Sequence, residues 1–383
     1  MLFSAADNGF MAEAIALASK GRFTTDPNPN VGAIIVKNQQ IIGRGYHKQA
    51  GQPHAEVYAL AEAGDEAAGA TCYVTLEPCA HYGRTPPCAE ALVKAGVARV
   101  VIAMLDPNPL VAGKGVAILQ AAGIQVDTGL LEAAARALNP GFLSRMERQR
   151  PYVWLKMATS LDGRTALANG VSKWLTSAAA RADVQLWRAQ SSAILSSANT
   201  VLADDASLTV RQVASETILP LANGSLRQPL RVILDTQQRL TGHEPLFQQG
   251  GPILLCYGQG QTARSLAQTA VPVEQYALSL NEAGKLDLTA LLTELNRRQI
   301  NSLWTEAGST LAGELIRLQL ADELLIYQAP LLLGELGRPL AQLGDYQQLE
   351  QVPALHIQQV VTLGADIRIR AHFAAAATAV VQP

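Results

Sequence analysis

Apolar positions in the first part of the chain switch repeatedly between helical and strand spacing. Up to Lys20 they recur at helical intervals, and Gly21 is a typical residue at a helix end. The apolar run VGAIIV at 31–36 predicts a strand, with a partner strand near 41–45. The elements predicted further along are a helix over 54–63, a strand over 71–76, a helix over 87–95, a strand over 98–104, a helix ending near Gly123 and a helical segment over 129–147. This alternation is typical of an α/β sandwich with a mixed sheet.

A charged run, MERQRP, separates this part from the rest of the chain, and Pro151 ends the helical pattern before it. We therefore expect one domain over 1–148 and a second over 151–372. The alanine-rich residues 373–383 are predicted to be a low-complexity tail.

The second domain repeats the alternation of strands and helices. The predicted strands are YVWLKMA at 152–158 and runs near 193–195, 230–235, 252–257, 302–305 and 322–329, and the predicted helices cover 177–190, 287–298 and 308–319. Helical crossovers between strands favour a mostly parallel sheet. The segment 207–229 is predicted to be rich in loops.

Length and composition exclude several classes of protein. A chain of 383 residues is too long for one core, since single cores stop growing at about 250–300 residues. Thirty basic and 32 acidic side chains give a net charge of -2, so no overall field attracts nucleic acid. The start of the chain does not resemble a signal peptide, and no run is long and apolar enough for a membrane span. A cytoplasmic enzyme without a nucleic-acid or membrane partner is expected.

The most specific chemical signal is a His-x-Glu element followed by two cysteines. One imidazole and two thiolates, from His54, Cys79 and Cys88, suit Zn²⁺ and leave one position for a water, whose pKa the metal lowers to about 7. Glu56 can take a proton from this water and pass it to a departing amine, as in zinc deaminases of nucleobases. The alternatives are a purely structural zinc site and buried cysteines beside an unrelated histidine. A structural site would need a fourth protein ligand, and the candidate, Cys72, lies in a strand pattern typical of core residues.

Short runs around these residues resemble one family. They are TTDPNPNVG at 24–32, GRGYH at 43–47, PHAE at 53–56 and TLEPCAHYGRTPPC at 75–88. They resemble the bifunctional riboflavin-biosynthesis enzymes that fuse a diaminohydroxyphosphoribosylaminopyrimidine deaminase to a 5-amino-6-(5-phosphoribosylamino)uracil reductase. The resemblance implies a cytidine-deaminase-like three-layer sandwich, with the metal ligands and Glu56 in the roles given above. It also implies substrate contacts from Asn28, His47, His81 and Arg84, for which turn caps and surface contacts are the alternative.

In the second domain, three polar clusters follow predicted strands, where open α/β sheets bind their ligands. They are Ser160–Arg164, Thr200–Asp205 and the glycine-bearing loop Glu306–Glu314. The free N–H groups at the start of the helix after this loop would favour phosphate, although its glycines could equally cap a turn.

The family resemblance continues through LDGR at 161–164, SKW at 172–174, TVLADD at 200–205, LTVR at 208–211 and EAGSTLAG at 306–313. It implies a dihydrofolate-reductase-like domain that binds NADPH. By this resemblance the residues facing NADPH are Ala158, Trp174, Thr200, Asp204, Thr236, Gly308, Ser309, Thr310, Leu311, Ala312, Gly313 and Glu314. Those facing the substrate are Ser172, Arg188, Leu208, Arg211 and Glu306.

The two arginines are the expected clamp for a ribose 5-phosphate, because a guanidinium matches phosphate oxygens, and surface ion pairs are the alternative. A proton must accompany the hydride, and the sequence does not rank Lys156, Asp204 and Glu306 as its donor. Ser309 and Thr236 depart from the family pattern and leave the coenzyme preference open.

The resemblance therefore implies deamination of 2,5-diamino-6-(5-phosphoribosylamino)pyrimidin-4(3H)-one, then reduction of its ribosyl group by NADPH. A homo-oligomer, either a homodimer or a homotetramer, is implied as well. The competing hypothesis is a nucleic-acid base deaminase with an appended binding module.

Overall fold

The computed structural model describes residues 3–80, 82, 86–108, 112–213 and 218–374. The chain forms two compact units. The first comprises Met1–Arg150 together with Leu219–Ser225, and the second comprises Pro151–Ile218 and Leu226–Pro383. In the described residues, no helix has the length and apolar character needed to cross a membrane.

The first unit is built on a five-stranded mixed sheet, which confirms the predicted fold class. Its elements are α1 (Ala5–Ala18), β1 (Gly32–Lys37), β2 (Gln40–Tyr46), α2 (Ala55–Ala63), β3 (Thr71–Val74), α3 (Cys88–Lys94), β4 (Arg99–Ile102), α4 (Lys114–Ala121), β5 (Gln125–Thr128), α5 (Glu132–Ala137) and α6 (Pro140–Arg148). The strand order is β2-β1-β3-β4-β5, antiparallel at β2-β1-β3 and parallel from β3 to β5. Separate apolar clusters cover the two faces of the sheet, so it is the middle layer.

The prediction of one helical segment over 129–147 was wrong in one respect. Two helices, α5 and α6, occupy it, and Pro140 begins the second. Proline lacks the N–H that a continuing helix needs, which explains the break. Strand β5 was not predicted.

Helix α2 lies directly on strand β2 because glycines and alanines face each other there. A Cβ atom at Gly43 would lie 2.1 Å from the carbonyl oxygen of Ala59, and one at Gly45 would lie 2.1 Å from that of Ala55. Only glycine permits this approach, so the GRGYH run fixes the position of α2.

The second unit contains a nine-stranded sheet with the order β11-β10-β9-β8-β12-β6-β13-β16-β15. Its elements are β6 (Tyr152–Ser160), β7 (Arg164–Ala166), α7 (Ala178–Gln190), β8 (Ala193–Ser197), α8 (Ala198–Asp204), β9 (Leu230–Leu234), β10 (Ile253–Gly258), β11 (Val273–Leu278), α9 (Leu288–Arg297), β12 (Ser302–Glu306), α10 (Ser309–Arg317), β13 (Glu323–Ala329), β14 (Arg338–Pro339), β15 (Leu355–Leu363) and β16 (Asp366–Phe373). The strands from β11 to β13 are parallel, and β16 and β15 add antiparallel pairs, so the mostly parallel sheet is confirmed.

Several elements of this unit were not predicted: α8, the short ribbon β7–β14, β11 and the hairpin β15–β16. Strand β16 continues to Phe373, one residue into the segment expected to be the tail. Two apolar clusters cover the faces of the large sheet. One includes side chains of α9 and α10, and the other includes side chains of α7 and α8.

Candidate active sites

Three predicted metal ligands meet in the first unit. His54 is the residue immediately before α2, Cys88 is the first residue of α3, and Cys79 lies on the segment after β3. The Nδ1 atom of His54 is 3.6 Å from the sulfur of Cys79 and 3.4 Å from that of Cys88. The backbone N–H of Cys88 also donates to the sulfur of Cys79 at 3.3 Å, which ties the two segments together.

The spacing of these atoms fits zinc. With Zn–S of about 2.3 Å and Zn–N of about 2.05 Å, tetrahedral geometry places a sulfur and a nitrogen ligand about 3.5 Å apart. The three ligand atoms lie within 4.8 Å of one another, and within the described chain this is the one group with metal-binding spacing. Hydrogen bonds from Cys88 and His54 lower the pKa of the Cys79 thiol, whereas the bond to Cys79 and burial raise that of Cys88, so without a metal the pair favours a single thiolate.

Glu56 lies in the first turn of α2, beside the metal ligands. Its side chain is buried, and its Oε2 atom has no hydrogen-bond partner among the described residues. Burial raises the pKa of the Glu56 carboxyl to about 7. A buried carboxylate oxygen without a protein partner is the arrangement expected of a group that bonds to a ligand.

Asn28 and His47 lie next to this cluster. The ring of His47 packs edge-on against that of His54, with centroids 5.5 Å apart, and its Nε2 is 3.1 Å from the Asn28 side-chain amide. The His47 Nδ1 lies 3.0 Å from the carbonyl oxygen of Pro53. The predicted contacts His81 and Arg84 lie outside the described residues.

Glu77 lies inside the TLEPC run, and its role in the structure was not predicted. Its buried carboxylate accepts hydrogen bonds from the backbone N–H groups of Gly113 and Gly115, at 3.0 and 2.9 Å, and of two further residues. It therefore fastens the start of α4 to the segment that carries Cys79.

The second unit contains a cleft of about 1300 Å³. Most of the residues predicted to bind NADPH or substrate line it: Ala158, Ser172, Trp174, Arg188, Thr200, Asp204, Leu208, Arg211, Thr236, Glu306, Gly308, Ser309, Thr310, Leu311 and Glu314. Ala312 and Gly313 are not part of the lining. Ala312 is in the core, and a Cβ atom at Gly313 would lie 2.1 Å from the carbonyl oxygen of Gln342, so the close approach at this glycine is to protein.

The Ser160–Arg164 cluster was predicted to lie at a ligand-binding end of the sheet, but Asp162 in this cluster bonds to the protein instead. Asp162 accepts hydrogen bonds from the backbone N–H groups of Leu333 and Gly334, at 3.1 and 2.8 Å. The cluster therefore holds a turn, and Asp162 is not among the residues that line the cleft.

An ion pair lies at the inner wall of the cleft. Arg188 donates two hydrogen bonds to Glu306, of 2.5 and 2.9 Å, and Trp304 donates a third at 3.0 Å. Burial raises the pKa of Glu306, but the charge and hydrogen bonds of Arg188 outweigh it and hold the pKa at about 2. Lys156 is paired in register with Glu306 on the neighbouring strand, and burial lowers its pKa.

Each of the two parts of the chain matches a known protein family. Residues 4–104 match the family described as "Cytidine and deoxycytidylate deaminase zinc-binding region", and residues 151–369 match "RibD C-terminal domain". The fold and the two sites thus define a bifunctional enzyme, a zinc-dependent deaminase joined to a reductase. A nucleic-acid base deaminase with a binding module is not favoured, because the second unit matches a reductase family.

Proteins named "Riboflavin biosynthesis protein RibD" are similar over almost the whole chain. That of Escherichia coli is 50% identical and that of Haemophilus influenzae 49% identical, over 94% and 96% of this chain and 98% and 97% of theirs. The solved structure of Acinetobacter baumannii RibD has a TM-score of 0.87 at 46% identity and covers 97% of this chain and 99% of its own. The chain belongs to the RibD family of riboflavin-biosynthesis enzymes.

A solved Thermotoga maritima protein has a more explicit description, a diaminohydroxyphosphoribosylaminopyrimidine deaminase/5-amino-6-(5-phosphoribosylamino)uracil reductase. Its TM-score is 0.82 at 33% identity, and the match covers 96% of this chain and 99% of that one. The resemblance stated from the sequence is therefore confirmed.

Proposed function

We propose that this chain catalyses two consecutive steps of riboflavin biosynthesis. Water first replaces the 2-amino group of 2,5-diamino-6-(5-phosphoribosylamino)pyrimidin-4(3H)-one, which leaves as ammonia. NADPH then reduces the ribosyl group, giving 5-amino-6-(5-phosphoribitylamino)uracil. The observation that carries the proposal is the His54–Cys79–Cys88 cluster with buried Glu56, on the same chain as a reductase-family cleft. We assign the deaminase to 1–148 and the reductase to 151–372.

In the deaminase, we propose His54, Cys79 and Cys88 as the zinc ligands. Zinc held by them supplies a Lewis acid that lowers the pKa of water to about 7. Glu56 accepts the proton of the attacking water and donates it to the departing amine, a role that its unpartnered Oε2 atom supports.

Four residues are proposed to contact the pyrimidine substrate. Asn28 and His47 are supported by their position beside the cluster. His81 and Arg84 are proposed from the family resemblance alone.

In the reductase, bound NADPH supplies the hydride, and the protein supplies position, charge and exclusion of water. The first turn of α10, preceded by Gly308, presents backbone N–H groups and a positive dipole end suited to a phosphate of the coenzyme. The residues proposed to face NADPH are Ala158, Trp174, Thr200, Asp204, Thr236, Gly308, Ser309, Thr310, Leu311 and Glu314. Ala312 and Gly313, predicted with them, lie instead on the face of α10 that packs against the protein. Ser172, Arg188, Leu208, Arg211 and Glu306 are proposed to face the substrate.

Reduction would add a hydride to C1′ of the ribosyl group, the bond between C1′ and the ring oxygen would break, and that oxygen would need a proton. Glu306 is a poor donor of this proton, because its three hydrogen bonds hold it ionised. Lys156 faces the same cleft, and the lowered pKa of its buried ammonium makes it a better acid. We therefore rank Lys156 above Glu306 and Asp204 as the proton donor.

A matched pair of variants tests both halves. Glu56→Gln should keep zinc and lose ammonia release by about 100- to 10,000-fold, the usual contribution of a general acid–base group, while NADPH oxidation on the deaminated compound continues. Lys156→Met should keep zinc and ammonia release and should lose NADPH oxidation on the deaminated compound. Zinc content, ammonia and NADPH absorbance are measured separately, and zinc removal by a chelator should mimic Glu56→Gln. If Glu56→Gln retained ammonia release, or if chelation also stopped NADPH oxidation on the deaminated compound, the assignment of two separate sites would be wrong.

We also propose a homo-oligomer, either a homodimer or a homotetramer, in the cytoplasm. The described part of the sheet ends at β15, where apolar side chains such as Ile357 and Val360 are exposed by 64% and 58%.

The four free cysteines support the proposed cytoplasmic location, because free thiols suit a reducing compartment, and subcellular fractionation would test this location.

A further inference from the structure

One wall of the reductase cleft is formed by Ser207–Arg211, a segment that belongs to no strand or helix. Its polar backbone groups bond to side chains of other elements. The carbonyl of Ser207 accepts from Arg231 at 2.9 Å, and that of Thr209 accepts from Arg188 at 3.0 Å. The conformation of this wall is therefore set by the side chains around it.

The side-chain amide of Gln228 makes the hydrogen bonds to Val210 that a neighbouring strand would make. Its side-chain oxygen accepts from the backbone N–H of Val210 at 2.9 Å, and its side-chain N–H donates to the carbonyl of Val210, also at 2.9 Å. A primary amide presents its oxygen and one of its N–H groups on the same side, so it can bond to both the N–H and the carbonyl of one residue, as a residue of an adjacent antiparallel strand does. Gln185, on α7, accepts from the backbone N–H of the next residue, Arg211, at 3.0 Å.

Arg211 is exposed at the cleft, and among the described residues its guanidinium has no hydrogen-bond or ion-pair partner. Its backbone is nevertheless held on the N-terminal side, by Gln228 at Val210 and by Gln185 at its own N–H. Both glutamines are uncharged, so neither competes with a ligand anion for the guanidinium, as a carboxylate in the same place would.

Resting on the function proposed above, we propose that Gln228 and Gln185 are positioning residues that aim the Arg211 guanidinium at the phosphate of the substrate. They give the site its preference for a phosphorylated ribosyl group without contacting that group themselves. Fixing the backbone in advance lowers the ordering cost of binding, so their loss weakens affinity and leaves the hydride step intact.

The test uses variants of similar volume. Gln228→Met removes two hydrogen bonds to the wall and should raise KM for 5-amino-6-(5-phosphoribosylamino)uracil about tenfold, with kcat within about twofold of the wild type. Gln185→Met removes one bond and should raise KM about threefold. The inhibition constant of ribose 5-phosphate, measured by NADPH oxidation, should rise in parallel, whereas that of ribose should not change.

Gln238→Met is the matched control. Gln238 also makes two main-chain hydrogen bonds, donating to the carbonyl of Thr262 at 3.0 Å and accepting from the N–H of Arg264 at 2.6 Å, but it does not line the cleft and is far from Arg211 in the chain. Its variant should keep the wild-type KM, and thermal unfolding verifies that all three variants are folded.

Three outcomes would overturn the inference. They are an unchanged KM in Gln228→Met, a fall in kcat without a change in KM, and an equal rise of KM in Gln238→Met. Wild-type enzyme that fails to oxidise NADPH with this compound would instead refute the proposed function itself.

Discussion

Glu306 shows how one partly buried carboxylate is kept ionised in the reductase unit. Arg188 and Trp304 provide three hydrogen bonds to its carboxylate, and the ammonium of Lys156 adds a favourable charge. Together they hold its pKa at about 2, below the ordinary value of 4.5. A carboxyl group whose pKa is lower in the folded than in the unfolded protein stabilises the fold, and this contribution is complete at pH values above the unfolded-state pKa. This contribution is lost as the pH falls through the folded-state value.

We therefore expect the free energy of unfolding of the reductase unit to fall by about 3 kcal/mol between pH 4.5 and pH 2 on account of Glu306. In Glu306→Gln this part of the pH dependence should be missing, although the variant is less stable at neutral pH because Arg188 loses its partner. All four tryptophans lie in the second unit, at 154, 174, 187 and 304, so denaturation followed by tryptophan fluorescence reports on that unit alone. Parallel pH curves for the two proteins would contradict this account.

The clustering of His54, Cys79 and Cys88 could be predicted from the sequence, because imidazole and thiol groups in this motif are typical of a metal site and the motif gives their order along the chain. The pairing of Arg188 with Glu306 could not be predicted, since the two residues are far apart in the chain and meet only through the strand order. The contact of Gln228 with the backbone of Val210 could not be predicted from the sequence, because a glutamine that makes strand-like hydrogen bonds cannot be distinguished there from any polar loop residue.

Helix α2 carries Glu56 in its first turn, with His54 just before it, so its distance from the sheet sets the geometry of the deaminase site. That distance depends on Gly43 and Gly45, which leave no room for a methyl group against Ala55 and Ala59. A side chain at either glycine must push the helix away from β2.

We expect Gly45→Ala to destabilise the first unit by roughly 1–3 kcal/mol and to weaken zinc binding. The matched control is Gly9→Ala in α1, where a Cβ atom would meet nothing within 4 Å and alanine should stabilise the helix by up to about 1 kcal/mol. Thermal unfolding and competition with a zinc chelator measure the two effects. Equal zinc affinity in both variants would show that the helix can shift without disturbing the ligands.

Elements with clear periodicity were predicted well, among them β1, α2, β6 and α7. The hairpin β15–β16 was missed because most of β15 is exposed, so its sequence lacks the regular alternation of a half-buried strand. The segment 129–147 was predicted as one helix because its apolar spacing continues across Asn139-Pro140, where backbone chemistry interrupts it.

At the scale of the molecule, we expect a second copy of the chain to cover the exposed apolar side chains of β15 in the homo-oligomer proposed above. Replacing both Ile357 and Val360 by glutamate should shift the protein toward monomer in light scattering, because burying two carboxylates in an apolar interface is costly. Gln358→Glu on the same strand, at a position already polar and exposed, is the control and should not change the mass. An unchanged oligomer in the double variant would place the interface elsewhere.

Strand β6 is the first strand of the second unit, yet it lies in the interior of the large sheet between β12 and β13. Tyr152 pairs with Ser302, and Trp154 pairs with Glu323. During synthesis on the ribosome, β6 therefore cannot pair with either neighbour until most of the polypeptide has emerged. The strands of the first unit pair with strands that are close in sequence. The deaminase half can fold early, while the reductase half remains dependent on late-arriving segments and is the half more exposed to aggregation in a nascent chain.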